Sequence, residues 1–130
     1  MKIAKNIMTI LCDDVRQEVG GKISLIGIYS KDIVLNKVPA ILPVINLVVM
    51  FESIREPFSK IFVNLVMPKE DPIKVSHPAP PGMEKGKDVN LVLGLAPFKL
   101  NNTGPAKFEI RFNENKKASI VHKFFIKVNE

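Results

Sequence analysis

Alternation with a period of two dominates the chain. From position 106 onward, Ala106, Phe108, Ile110 and Phe112 interleave with Lys107, Glu109, Arg111 and Asn113. Successive side chains of an extended strand point to opposite faces, so this segment has one apolar and one charged face, the mark of a half-buried antiparallel strand. The pattern recurs over residues 88–95 (Val89, Leu91, Leu93, Leu95), 44–52 (Ile45, Leu47, Val49, Phe51) and 59–67 (Ile61, Val63, Leu65, Met67). Ile7 to Cys12 and Lys22 to Ser30 also read as strands, but apolar residues fall on both of their faces. Residues 117–128 fit two templates. Ala118, Ile120, Phe124, Ile126 and Val128 form a strand face opposite Lys117, Lys123 and Lys127, whereas Ile120, Val121, Phe124, Phe125 and Val128 form a helical stripe. The β-branched and aromatic content, with the polar Asn113–Lys116 turn ahead of it, favours the strand.

Gly20–Gly21, Pro39 to Pro43, Glu56–Pro57 and Asn101 to Pro105 punctuate these segments. The outcome is seven or eight short strands and no long helix. Residues 1–130 are therefore expected to form one all-β domain, a two-sheet antiparallel β-sandwich of the immunoglobulin-like kind, with a small closed β-barrel as the alternative. Residues 68–87 stand apart, with five prolines and two glycines. Pro78–Ala79–Pro80–Pro81 matches a PxxP motif that aromatic grooves recognise, but a surface crossover with a short strand near Ile73 to Val75 is the simpler expectation.

Composition narrows the function classes. At 46% apolar and 25% charged residues the chain has the balance of a folded soluble domain. Its longest uninterrupted apolar run is the five residues Leu47–Phe51, far short of the roughly 20 that a membrane-spanning helix needs. The apolar stretch after Met1–Lys2 is also shorter than the core of a signal peptide, so a cytoplasmic location is expected. The net charge of +6 invites a nucleic-acid reading, tempered by the sixteen lysines and three arginines that make up the basic residues. Lysine is a hydrated point charge that often serves solubility, whereas arginine carries the fork that reads phosphate and base edges. The single cysteine, Cys12, excludes an internal disulfide and a cysteine-based zinc cluster.

Catalytic groups are sparse. The two histidines, His77 and His122, lack evident partners; His122 shares a strand face with Ile120 and Phe124 and reads as a packed histidine, and His77 as a solvated loop residue. Asp13–Asp14 is the one adjacent aspartate pair, and turn-forming carboxylates are a simpler account than a calcium site. Those carboxylates would disfavour a thiolate at Cys12, the opposite of what a nucleophile needs. Gly20–Gly21–Lys22 lacks the spacer of a phosphate-binding loop and reads as a turn with positive φ. No catalytic residue, metal ligand or cofactor site is therefore assigned. Single-stranded nucleic acid is held by aromatic platforms on a basic surface. The best such arrangement is Phe58, Lys60 and Phe62 on the second face of their strand, with Lys123 and Phe125 on the last strand. A second buried face or a subunit contact competes with that reading.

The block Leu11-Cys12-Asp13-Asp14-Val15-Arg16-Gln17-Glu18-Val19-Gly20-Gly21-Lys22-Ile23-Ser24-Leu25-Ile26-Gly27-Ile28-Tyr29 resembles the opening of a family of small bacterial and phage-associated proteins with no assigned function. The resemblance implies an all-β fold and a bacterial cytoplasmic setting, and it transfers no site residues. In the residues themselves the block is a strand, a polar turn and a second strand, in which Gly27 marks a bulge or a close backbone approach. The function expected is a non-enzymatic binding or accessory module that contacts another protein or itself, with no membrane. Lysine-driven nucleic-acid binding is the alternative, and a hydrolase-type enzyme using Asp13, Asp14 and His122 a distant third.

Overall fold

The computed structural model describes residues 3–113 and 120–129, so the turn expected at residues 114–116 and positions Lys117 and Ala118 lie outside the described residues. The described residues form strands and no helix. In chain order the strands are β1 (Ala4–Gln17), β2 (Ile23–Tyr29), β3 (Asp32–Leu35), β4 (Ala40–Leu42), β5 (Ile45–Ile54) and β6 (Lys60–Val66). They continue with β7 (Ile73–Pro78), β8 (Val89–Leu95), β9 (Phe98–Leu100), β10 (Gly104–Phe112) and β11 (Ile120–Val128). No helix is long and apolar enough to cross a membrane among these residues.

Three sheets result, none closed into a barrel: β2-β1-β5-β8, β3-β11-β10-β6-β7, and the pair β4-β9. Eleven strands replace the seven or eight expected. Three of them (β3, β4 and β9) have only three or four residues, too few for a period-two pattern to stand out, whereas β7 is the short strand expected near Ile73 to Val75, extended to Pro78. The five-stranded sheet is mixed, because β3 pairs parallel to β11, which departs from the all-antiparallel expectation. β4 lies in the crossover from β3 to β5 and β9 in the crossover from β8 to β10, so their pairing ties together the two chain segments that pass between the large sheets.

The alternating apolar positions build one core. Leu47, Val49 and Phe51 of β5, with Leu91 and Leu93 of β8, meet Ile61, Val63 and Leu65 of β6, Phe108 and Ile110 of β10, and Phe124 and Ile126 of β11. Phe51 from the four-stranded sheet and Phe112 from the five-stranded sheet lie with ring centroids 5.9 Å apart. The expected crossover 68–87 carries β7, whose six residues are all exposed, as the edge strand beside β6. It is blunted as an edge by Lys74 and by Pro78, which offers no amide for further pairing.

Candidate binding surfaces

The registers fix which side chains share the outward face of each large sheet. On the five-stranded sheet Lys107 stands opposite Val66 on one side and Lys123 on the other. Arg111 is opposite Phe62, Pro105 opposite Phe125, and Phe125 opposite Asp32. Because side chains alternate, Lys60, Phe62, Lys107, Arg111, Lys123, Phe125 and Lys127 share one face, and Lys74 of β7 joins them opposite Asn64. Six cations (Lys60, Lys74, Lys107, Arg111, Lys123, Lys127) thus meet two carboxylates (Glu109, Asp32), a net of +4 in a chain whose total is +6. Both aromatics are flanked by cations: Lys60 Nζ and Arg111 Cζ lie 5.3 and 5.6 Å from the Phe62 centroid, and Lys127 Nζ lies 5.8 Å from that of Phe125.

Around Phe125 this face opens into a cleft of about 650 Å³. Val66, Pro105 and Phe125 supply its apolar wall, and its charged lining is three lysines, Lys31, Lys107 and Lys123, against one carboxylate, Asp32. The two carboxylates are already engaged, Asp32 with Lys127 at 3.1 Å and Glu109 with Lys107 at 3.4 Å. Among the described residues neither Lys31 nor Lys123 takes part in an ion pair.

Of the five residues expected to form a basic-aromatic surface, Lys60, Phe62, Lys123 and Phe125 fall on this one sheet face. Phe58 does not. It is 4% exposed and packs against Phe51 and Phe112, with centroids 5.4 and 4.8 Å away. The cause is local: alternation applies only within a strand, and β6 starts at Lys60. Before it, Asn113 Oδ1 accepts from the Ser59 amide at 2.9 Å and from its hydroxyl at 3.0 Å, which fixes a turn that sends Phe58 inward. Lys31 and Lys107 escaped the sequence reading because nothing in the linear pattern shows which strands are neighbours.

The four-stranded sheet has an outward face of a different kind. Its rows run Ile28–Cys12–Asn46–Gly94, then Ile10–Val48–Val92, then Met8–Met50–Asn90. Met8 and Ile28 are each 58% exposed and Ile26 44%, while Cys12 and Val48 at the centre are covered by these neighbours. Its charges cancel at both ends, Arg16 with Asp14 at 3.5 Å and Lys5 with Glu52 at 3.6 Å. This face accounts for the apolar residues on both sides of the first two strands.

The remaining polar groups hold the fold. Gly27 has φ +70°, lies level with Asp13 on the neighbouring strand, and would drive an added Cβ into the Asp13 carboxylate. The Tyr29 hydroxyl donates to that carboxylate, and burial first, then this bond, pushes the phenol well above its usual range. Asn46 donates to the Asp13 carbonyl at 2.9 Å. Asp14 instead accepts from the Val15 amide at 2.9 Å and pairs with Arg16. Burial raises the Cys12 thiol, and the Asp13 and Asp14 charges add to that effect. Half-buried His122 bridges the two sheets, its Nδ1 2.8 Å from Thr9 Oγ1, and burial lowers its pKa. His77 lies on β7, three strands away in the same sheet, with Nδ1 2.7 Å from the Pro78 carbonyl. Among the described residues no group of three or more His, Cys, Asp or Glu side chains is arranged to hold a metal ion.

The model of a family of unknown function (DUF6941) matches residues 7–123. None of the curated proteins matches the chain. Two solved structures of a beta-glucosidase from Listeria innocua align with it, one in complex with isofagomine at 11% identity and a mutant in complex with laminaribiose at 10%. Each has a TM-score of 0.41; the alignments cover 95% and 96% of this chain and 16% of the glucosidase. The chain thus spans about a sixth of the length of those proteins, and a likeness so distant carries no inference about activity.

Proposed function

The chain belongs to DUF6941, a family of unknown function, and from its geometry we propose a non-enzymatic binding module that associates with a second copy of itself. We read the two facing sheets as an immunoglobulin-like β-sandwich in which β4 and β9 are strands of the crossovers. A reducing compartment is compatible with a single free cysteine, and the resemblance of the opening block supports a bacterial cytoplasm as the setting.

One observation carries the proposal: the outer face of β2-β1-β5-β8 is apolar and electrically neutral in a chain of net charge +6. Exposed contiguous apolar surface with a polar rim is the usual mark of a contact surface. Charge selects the occupant. Two copies that met through their five-stranded sheets would bring two +4 faces together. Meeting through the neutral faces puts those charges on opposite sides of the pair and lets the Lys5–Glu52 end of one copy lie over the Asp14–Arg16 end of the other. A non-catalytic role is supported by the protein's reactive side chains, since Cys12 is buried with its thiol pushed up and the half-buried His122 is hydrogen-bonded to Thr9.

Sedimentation equilibrium tests this. The wild type is expected to be dimeric at tens of micromolar, and Met8→Lys combined with Ile28→Lys to be monomeric yet folded, melting like the wild type once that is diluted to monomer, because both side chains are already more than half exposed. A wild type that stays monomeric up to several hundred micromolar would overturn the proposal, as would a double variant that dimerises like the wild type.

A further inference from the structure

We propose that the cleft on the outer face of the five-stranded sheet binds single-stranded nucleic acid, with phosphates held by Lys31, Lys107 and Lys123 and a base stacked on Phe125. The inference uses the sheet opposite the self-association face and does not rest on that reading.

Three observations converge on this ligand. The first is charge left uncompensated. Lys107 and Lys123 are directly opposite in the β10–β11 ladder, where facing side chains start about 5 Å apart and like charges repel. Glu109 offsets Lys107, and Asp32, which also lines the cleft, is paired with Lys127, so neither Lys123 nor Lys31 has an ion-pair partner among the described residues and the lining keeps an excess of positive charge. An anion placed between these ammonium groups removes the repulsion and replaces condensed counterions of its own, the main source of affinity for a phosphate backbone.

The second is the aromatic ring at the same place. Phe125 is 46% exposed on a strand where Phe124 and Ile126, its chain neighbours, are buried. A solvated phenyl ring beside lysines is poor core and good stacking platform. The cleft volume of about 650 Å³ falls within the range of small-ligand sites and accommodates a nucleotide.

The third is repetition. Phe62 stands with Lys60 and Arg111 two strands away and six residues further along the ladder, about 20 Å from Phe125 by strand geometry. Lys107 and Lys123 lie between the two platforms. A lone anionic metabolite has no use for the second platform. An acidic peptide would be met by the lysines but has no flat rings to set on both phenylalanines. A strand of alternating phosphates and bases uses all of it.

The test is fluorescence anisotropy of the intact protein with labelled 12-nucleotide single strands, as DNA and as RNA, and with a duplex and poly-glutamate, each across a salt series. Binding of at least one single strand is expected, with log K falling against log salt at a slope near −2, from about 0.7 per phosphate neutralised by the three lysines. The DNA and RNA arms identify which nucleic acid is preferred. Lys123→Ala and Lys107→Ala should each make the slope shallower by about 0.7. Phe125→Ala should weaken the single strand about 5- to 100-fold without changing the slope, the range expected for losing one stacked base. Lys85→Ala, in an exposed loop outside the cleft, should change neither. The proposal is overturned if no single strand binds at low salt, or if the lysine variants leave the slope intact. It is equally overturned if poly-glutamate or duplex binds as tightly as the single strand and Phe125→Ala has no effect. Matching melting curves for all variants would exclude unfolding as a cause.

Discussion

At the scale of single residues, the polar groups of the core explain how the protein depends on pH. His122 lies on the inward side of β11, with its Nδ1 hydrogen-bonded to Thr9 Oγ1 on β1. Burial lowers its folded pKa below the usual value of about 6.5. In the unfolded chain the ring takes up a proton at that usual value, so the unfolded state gains protons first as pH falls. Stability contributed by neutral His122 is therefore fully present above about pH 6.5 and is lost as the pH falls from there through the lower folded pKa. Urea unfolding of wild type and His122→Gln between pH 7.5 and 4.5 checks this. The wild type is expected to lose stability more steeply than the variant below pH 6.5, whereas parallel curves would show that His122 does not drive the dependence. The sequence placed this histidine on the packed face by parity alone; that its partner is a threonine hydroxyl from the other sheet, and not a backbone carbonyl, needed the three-dimensional register. Gly27 was legible in the same way. A glycine interrupting an apolar strand announces a close approach, but only the pairing of β1 with β2 identifies Asp13 as the group approached.

At the scale of elements, β6, β8 and β10 were readable because each buries alternate residues and leaves the others more open to water. The three- and four-residue strands β3, β4 and β9 were not, and neither was the turn that buries Phe58. Phe51 of β5, Phe58 of the segment before β6 and Phe112 of β10 form a cluster with centroid separations of 4.8–5.9 Å. It joins both sheets at the end where β10 finishes, so the ring from the turn works as a wedge between them. Phe58→Ala should cost about 3–5 kcal/mol, since the vacated volume is enclosed by two rings that cannot collapse into it. Phe62→Ala, on the outward face of the next strand, should cost well under half as much. Urea denaturation of the two variants decides the matter, and similar losses would contradict the inward placement of Phe58. The same contrast shows where pattern reading stops. Both phenylalanines have the same parity in the sequence, and only the point at which the strand begins separates a core residue from a surface one.

At the scale of the whole molecule, the two large sheets turn unlike faces outward, and salt should act on them in opposite directions. The face of β3-β11-β10-β6-β7 concentrates net positive charge, while that of β2-β1-β5-β8 is apolar and neutral. Composition alone could not reveal this division, because +6 spread evenly and +4 gathered on one sheet give the same total. Raising ionic strength shortens the screening distance from about 10 Å at 0.1 M toward about 3 Å at 1 M. Screening weakens the long-range repulsion between two copies of a cationic chain and leaves burial of apolar area intact, so self-association should hold or tighten. Phosphate binding should collapse over the same range, because the released counterions return to a concentrated bath. Sedimentation velocity of the protein with a labelled single strand, at about 0.05 M and about 0.5 M salt, reads both at once. The expected record is a dimer that carries the label at low salt, and a dimer stripped of label at high salt. At low salt a strand long enough to reach both cationic faces of one dimer should bind more tightly than twice its half-length, since the second contact is intramolecular. A dimer that falls apart as salt rises would mean that opposite charges, not the apolar rows around Val48, hold the two copies together, and the proposal of an apolar self-association face would be overturned.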